Sequence, residues 1–189
     1  GYSRMMGADE EGTLKTLHRC REIIDAMIAK FHGHFVGSAG DSVLAEFASA
    51  VDAVHCAYEI QQELWAVNAD LPAQRRMNFR IGVNLGDVLV EGTEIYGDGV
   101  NVAARLEGLA DGGGVSVSRS VYNQVKGKVD YVFDDVGSHH VKNIVDPVSV
   151  YRIRMSPDDK PSMRISPSAR AAWRGAAIAV VALLVLQGA

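Results

Sequence analysis

His34-Phe35-Val36-Gly37-Ser38-Ala39-Gly40-Asp41-Ser42-Val43-Leu44-Ala45-Glu46-Phe47 is the stretch on which the fold turns. Two β-like runs, His34–Val36 and Ser42–Phe47, flank a tight segment of small residues that closes on Asp41. Small residues and an aspartate between two apolar runs predict a hairpin. A second pair, Phe79–Leu85 and Val88–Val90, reads as strands joined at Gly86-Asp87. Before the first hairpin, Gly7–Gly12 is a polar lead-in to Thr13–Phe31. In that stretch Leu14, Leu17, Ile24, Ile28 and Phe31 recur at spacings of three, four and seven, which predicts an amphipathic helix ending at Gly33. Ala48–Ala69 is a second long helix, broken by Leu71-Pro72. Beyond the loop Gly92–Gly99 comes a third helix, Val100–Leu109. Val115–Val117 then reads as a strand and Ser118–Val125 as a short helix capped by Ser118. Tyr131–Val136, Val141 and Val148–Ile153 supply the last strands.

The order is α, ββ, α, ββ, α, β, α, β, β. With a first strand upstream, it predicts an α+β fold of the ferredoxin-like, split βαβ palm type. Such a fold has a mostly antiparallel sheet with helices packed on it.

Of the 189 residues, 48% are apolar and 22% charged, enough for one folded domain with a small addition. The net charge of −4 argues against nucleic acid as a partner. Cys20 and Cys56, both in helical segments, read as reduced core thiols of a cytosolic protein. His32, His34 and the pair His139-His140 lack the cysteine or carboxylate company of a zinc site and read as solvent-facing. The chain starts at Gly1 and is expected to be a fragment. Residues 1–154 form the expected domain, and 155–169, with Pro157, Pro161 and Pro167, a flexible linker. Residues 170–189 are expected to begin a transmembrane helix. The uncharged run Gly175–Ala189 reaches about 22 Å as a helix, so a span of about 30 Å needs more chain. Arg164, Arg170 and Arg174 precede it, which predicts a cytoplasmic domain anchored to the inner or plasma membrane.

Three segments then point to a family. Gly40-Asp41-Ser42-Val43-Leu44-Ala45-Glu46-Phe47 follows the pattern G-D-x-x-x-A-x-F. Arg80-Ile81-Gly82-Val83-Asn84-Leu85-Gly86 follows R-I-G-x-x-x-G. Ile95 to Leu106 contains Ile95, Gly97, Val100, Asn101, Ala103 and Arg105 in the pattern I-x-G-x-x-V-N-x-A-x-R. In that order and spacing, over roughly Gly1–Ile153, the chain resembles the catalytic domain of class III adenylate and guanylate cyclases.

The resemblance implies that ATP is converted to 3′,5′-cyclic AMP and pyrophosphate. The ribose 3′-hydroxyl attacks the α-phosphorus while two ions, Mg²⁺ or Mn²⁺, hold the attacking and leaving oxygens. It makes Asp41 a metal ligand. A second metal aspartate is expected three positions before Gly1, because Gly1-Tyr2-Ser3 resembles the end of D-x-x-G-[FY]-[ST]. Tyr2 and Ser3 would line the triphosphate through backbone N–H groups. Asn101 would orient the ribose and Arg105 would neutralise charge growing on the phosphate. Their spacing of four puts them on one helix face. Lys142 would contact the β- and γ-phosphates.

For the base, Glu94 stands where many adenylate cyclases have aspartate, and its carboxylate could accept from the adenine amino group. Gly37 stands where a base-reading lysine is usual, a loss of about 1–2 kcal/mol of hydrogen bonding if unreplaced. The family works as a head-to-tail dimer, here a homodimer. Two alternatives stay open: a non-catalytic, nucleotide-sensing dimerisation module, and a guanylate cyclase.

Overall fold

The structure, a computed structural model, describes residues 2–39, 41–86, 89–91, 94–140, 146–156 and 179–187. It is α+β, as the element order predicts. Two helices open the chain, α1 (Tyr2–Ala8) and α2 (Glu10–Lys30). The polar lead-in of the sequence is thus largely helical. Asp9 separates the two helices and caps the second, its carboxylate accepting from Gly12 N at 3.0 Å. The hairpin around Asp41 forms as expected, from β1 (His34–Ala39) and β2 (Ser42–Phe47). Then come α3 (Ala50–Ala69), capped by Ser49, and β3 (Asn78–Gly86). β4 (Leu89–Glu91) does not pair with β3, as a second hairpin would require. It pairs with β5 (Glu94–Tyr96) in a small separate ribbon. α4 (Asp98–Leu109), β6 (Val115–Ser118), α5 (Arg119–Val125), β7 (Phe133–His139) and β8 (Val148–Ile153) follow.

At the C-terminus the described part of the apolar run is extended. Residues 179–187, read in the sequence as part of a membrane-crossing helix, form strand β9 (Ala179–Gln187). No helix among the described residues is long and apolar enough to cross a membrane. The physical reason is that a continuous apolar run has no periodicity, so it suits a fully buried strand as well as a helix. Val180, Val181 and Val185 add β-branched weight to the strand form.

The main sheet has the order β1-β2-β9-β3-β6-β8-β7. Among the described strands of this sheet, β3 and β6 run parallel and the other pairings are antiparallel. One face is covered by α2, α3 and α5. There Ile24, Ile28, Val54, Ile60 and Leu64 meet Val43, Ala45, Phe47, Phe79, Ile81 and Val83 in the core. The alternation of β3 sends Arg80, Gly82 and Asn84 to the opposite face, where α4 lies.

Candidate active site

α4 is docked on β3 by three residues of the motif Arg80–Gly86. At Gly82 any Cβ would collide with the Ala103 carbonyl and the Glu107 nitrogen, so only glycine lets the helix come this close. At Gly86 a Cβ would stand 3.1 Å from Gly99 Cα. Between them, buried Asn84 donates from Nδ2 to the Gly99 carbonyl at 3.1 Å, tying the start of the helix to the strand. Arg80 and Glu107 form an ion pair at 2.7 Å on the same face. Burial pushes the Glu107 carboxyl up; Arg80 pulls it back down, and the Asp41 carboxylate adds a push upward.

This docking decides what α4 shows. Ala103, Leu106 and Glu107 are buried against the sheet, whereas Asn101 and Arg105 are exposed. The pair therefore shares a face, as the spacing predicts, and that face is turned to solvent. Asp41 lies elsewhere. It is half-buried at the head of β2 and lines a cavity with Leu17, His18, Arg21, Ile24, Val43 and Phe79. The Arg21 guanidinium in that cavity is held by Asp25 at 3.1 Å and sits 4.9 Å over the Phe35 ring.

Strand register measures the separation. Ser42 pairs with Val185, and Gly86 pairs with Ala179. Those two β9 positions are six residues apart, about 20 Å at about 3.4 Å per residue. Asp41 is next to the first, and Asn101 follows Gly99 at the second; the Arg105 end of α4 lies nearer Asp41, because Glu107 bonds Arg80, which pairs with Val185 as Ser42 does. Among the described residues no hydrogen bond or ion pair links Asp41 to Asn101 or Arg105, and no group of three His, Cys, Asp or Glu side chains could hold a metal.

The remaining sequence-derived positions are placed as follows. Tyr2 and Ser3, expected to line the triphosphate through backbone N–H groups, begin α1, and Tyr2 packs partly against the core. Glu94 lies on β5, which runs beside β1, the strand of Gly37; its side chain is outside the described residues. Gly37 itself follows an irregularity in the β1–β2 register, and a Cβ there would meet nothing within 4 Å. Lys142, residues 157–169 of the expected linker and residues 170–178 of the expected transmembrane segment lie outside the described residues. Asn84 and Glu107 were not singled out in the sequence. A glycine-flanked asparagine inside an apolar strand is the signal that could have marked Asn84.

A palm sheet with an aspartate at a hairpin tip and an Asn/Arg helix face is the arrangement of a nucleotidyl-transfer domain. The sequence model of the adenylate and guanylate cyclase catalytic domain matches residues 3–155, and the chain belongs to that family. It is 47% identical over 161 residues to "Putative adenylate cyclase 3" of Rhizobium meliloti, covering 85% of this chain and 27% of that protein. The chain therefore spans about a quarter of the length of that relative. It is 42% identical to the adenylate/guanylate cyclase/hydrolase of Silicibacter pomeroyi, with a TM-score of 0.72 over 81% of this chain and 89% of that one. The adenylyl cyclase CyaB of P. aeruginosa shares the fold, with a TM-score of 0.70 at 22% identity over 85% of this chain and 91% of that one.

Proposed function

We propose that the chain is the cyclising domain of an adenylate cyclase that works as a homodimer in the cytoplasm. The observation that carries the dimer is that exposed Asn101 sits at the Gly86 end of β3, about 20 Å along β9 from the level of Asp41, within one copy. A second copy can bring its exposed α4 face to the Asp41 end, giving two equivalent sites related by a two-fold axis. The adenylate part of the proposal is supported by the 47% identical relative named for that activity and by the carboxylate type at Glu94. The free thiols of Cys20 and Cys56 agree with a reducing compartment.

Asp41 fits part of a divalent-ion site. Its carboxylate is half-exposed at a hairpin tip and has no cationic side chain bonded to it among the described residues. Mg²⁺ commonly takes one or two carboxylates and completes its shell with phosphate and water oxygens. Divalent ions held there would supply charge neutralisation on the phosphate oxygens. The chain's own residues do the rest. Asp41 anchors the ion, Asn101 fixes the ribose so that the 3′-oxygen lies in line with the α-phosphorus, and Arg105 balances charge on the phosphate as the bond to pyrophosphate breaks. Lys142 and Glu94 complete the proposal, for the outer phosphates and the base.

The test is production of cyclic AMP from ATP with Mg²⁺ or Mn²⁺ by the longest protein that carries this chain. Activity should disappear in Asp41→Ala and in Asn101→Ala. No cyclic AMP with either metal would instead favour a nucleotide-binding module. That second reading has its own observation, Gly37 in open space where a lysine would fit. Offering ATP and GTP together decides between the two cyclase activities.

A further inference from the structure

α4 is held along its length, but its tethers differ in kind. At its start Asn84 bonds the Gly99 carbonyl, and farther on Gly82 lies under the Ala103 carbonyl and the Glu107 nitrogen. At its far end Arg152 donates from Nη2 to the Leu109 carbonyl at 3.1 Å. These contacts reach the helix main chain, about 2 Å from the axis. They fix the height and depth of the helix, and they resist rotation only through a short lever. Ala103 and Leu106 are fully buried and apolar, and apolar packing has no direction. Glu107 holds differently. Its carboxylate extends to Arg80 and meets Nε at 2.7 Å, with side-chain exposures of 9% for Glu107 and 21% for Arg80, so water screens the pair little. Neither atom has another partner among the described residues.

We propose that Arg80 and Glu107 are positioning residues for Arg105, and that their ion pair locks the rotation of α4 about its own axis. At about 100° per residue, side chains two positions apart stand about 200° apart. Turning Glu107 in toward Arg80 therefore turns Arg105 out, and Arg105 is exposed. Side chains reach about 6 Å from a helix axis, so a rotation of about 10° displaces them by about 1 Å. A displacement of that size at a reacting phosphate costs on the order of 100-fold in rate. Asn101, next to the Asn84 tether, is held separately. The effect on catalysis rests on the reading of Arg105 as the group that balances charge on the phosphate. The lock on the helix stands without it.

The test combines Arg80→Met with Glu107→Met in the longest protein that carries this chain, which removes both charges without burying a lone one. Its Tm should stay close to the parental value. Its kcat should fall about tenfold or more, while the KM for ATP moves less than about threefold. A pair that only stabilised the fold would lower Tm and leave kcat, measured well below Tm, unchanged; that result overturns the proposal. In Arg105→Ala the group to be positioned is gone, so adding the two Met substitutions should cost no more than about twofold. A full tenfold loss in that background overturns the route through Arg105. Amide exchange gives a readout that needs no turnover. In the double Met variant, exchange at Arg105–Leu109 should accelerate about threefold or more, with α3 unchanged. Parental exchange rates overturn the lock. Should the double variant not fold, Glu107→Gln, which drops the charge and keeps an oxygen toward Arg80, is read in the same three ways. Faster exchange with no cyclic AMP from the parent protein would refute the proposed function and leave the lock on α4 standing.

Discussion

Gly82→Ala is the most informative single substitution in the domain. The added methyl has no room, because the backbone of α4 at Ala103 and Glu107 lies directly over Gly82. Backbone atoms cannot rotate away as a side-chain tip can, so the helix must lift or tilt. Overpacking of this kind costs about 1–3 kcal/mol. For a domain of this size that is a Tm loss of roughly 2–12 °C. The loss in rate should be larger than the loss in stability, because α4 carries Asn101 and Arg105. A displacement near 1 Å of groups that must meet a reacting phosphate costs on the order of 100-fold in kcat.

Gly108→Ala is the control on the same helix. It is exposed, with nothing within 4 Å of its Cβ position. Near the end of α4 it should be neutral or stabilising by up to about 1 kcal/mol. Thermal unfolding and initial rates of cyclic AMP formation are measured on both. A Gly82→Ala protein with parental Tm and kcat would refute the docking of α4 through Gly82.

Further outcomes are expected. Asn84→Ala removes the bond to the Gly99 carbonyl and leaves that carbonyl without its partner; stability should fall by about 1–3 kcal/mol, with kcat reduced and KM for ATP little changed. His55, bonded to the Tyr131 hydroxyl at 2.7 Å, has its pKa lowered chiefly by burial. The unfolded chain therefore takes up this proton first, so stability should fall as pH drops below about 6.5, and His55→Phe should flatten that dependence in pH-resolved melts. Burial pushes the thiols of Cys20 and Cys56 up to about 11 and about 12, so neither should react with a thiol reagent at pH 7.5 until the chain unfolds. Gly37→Lys, placed in open space, should lower the KM for ATP up to about tenfold if the base lies there, read from initial rates at varied ATP.

The hairpin at Asp41 and the helix of Asn101 and Arg105 were legible in the sequence because each has a strong local pattern. The hairpin alternates about a turn of small residues. The helix follows a glycine and repeats its small apolar residues at helical spacing. What the sequence could not show is set by tertiary contact. β5 is three residues long inside a glycine-rich loop and exists only by pairing with β4. α1 is a short segment interrupted from α2 by Asp9, and its residues Tyr2 and Met5 find their reason in the core they pack against. β9 carries no periodicity, so its form depends on the slot between β2 and β3. Asn84 and Glu107 look ordinary until α4 is laid on β3. The site residues were likewise visible as types, but their distance from one another was not, because it comes from the register of three strands.

That distance has a consequence for mixtures of damaged chains. If Asp41 and Asn101 of one site come from two copies, a chain with Asp41→Ala and a chain with Asn101→Ala are each dead alone. When the two exchange freely, half of all pairs are mixed. A mixed pair gathers both lesions into one site and leaves the other whole. Co-refolding two silent proteins at equal amounts should then recover about a quarter of the parental turnover.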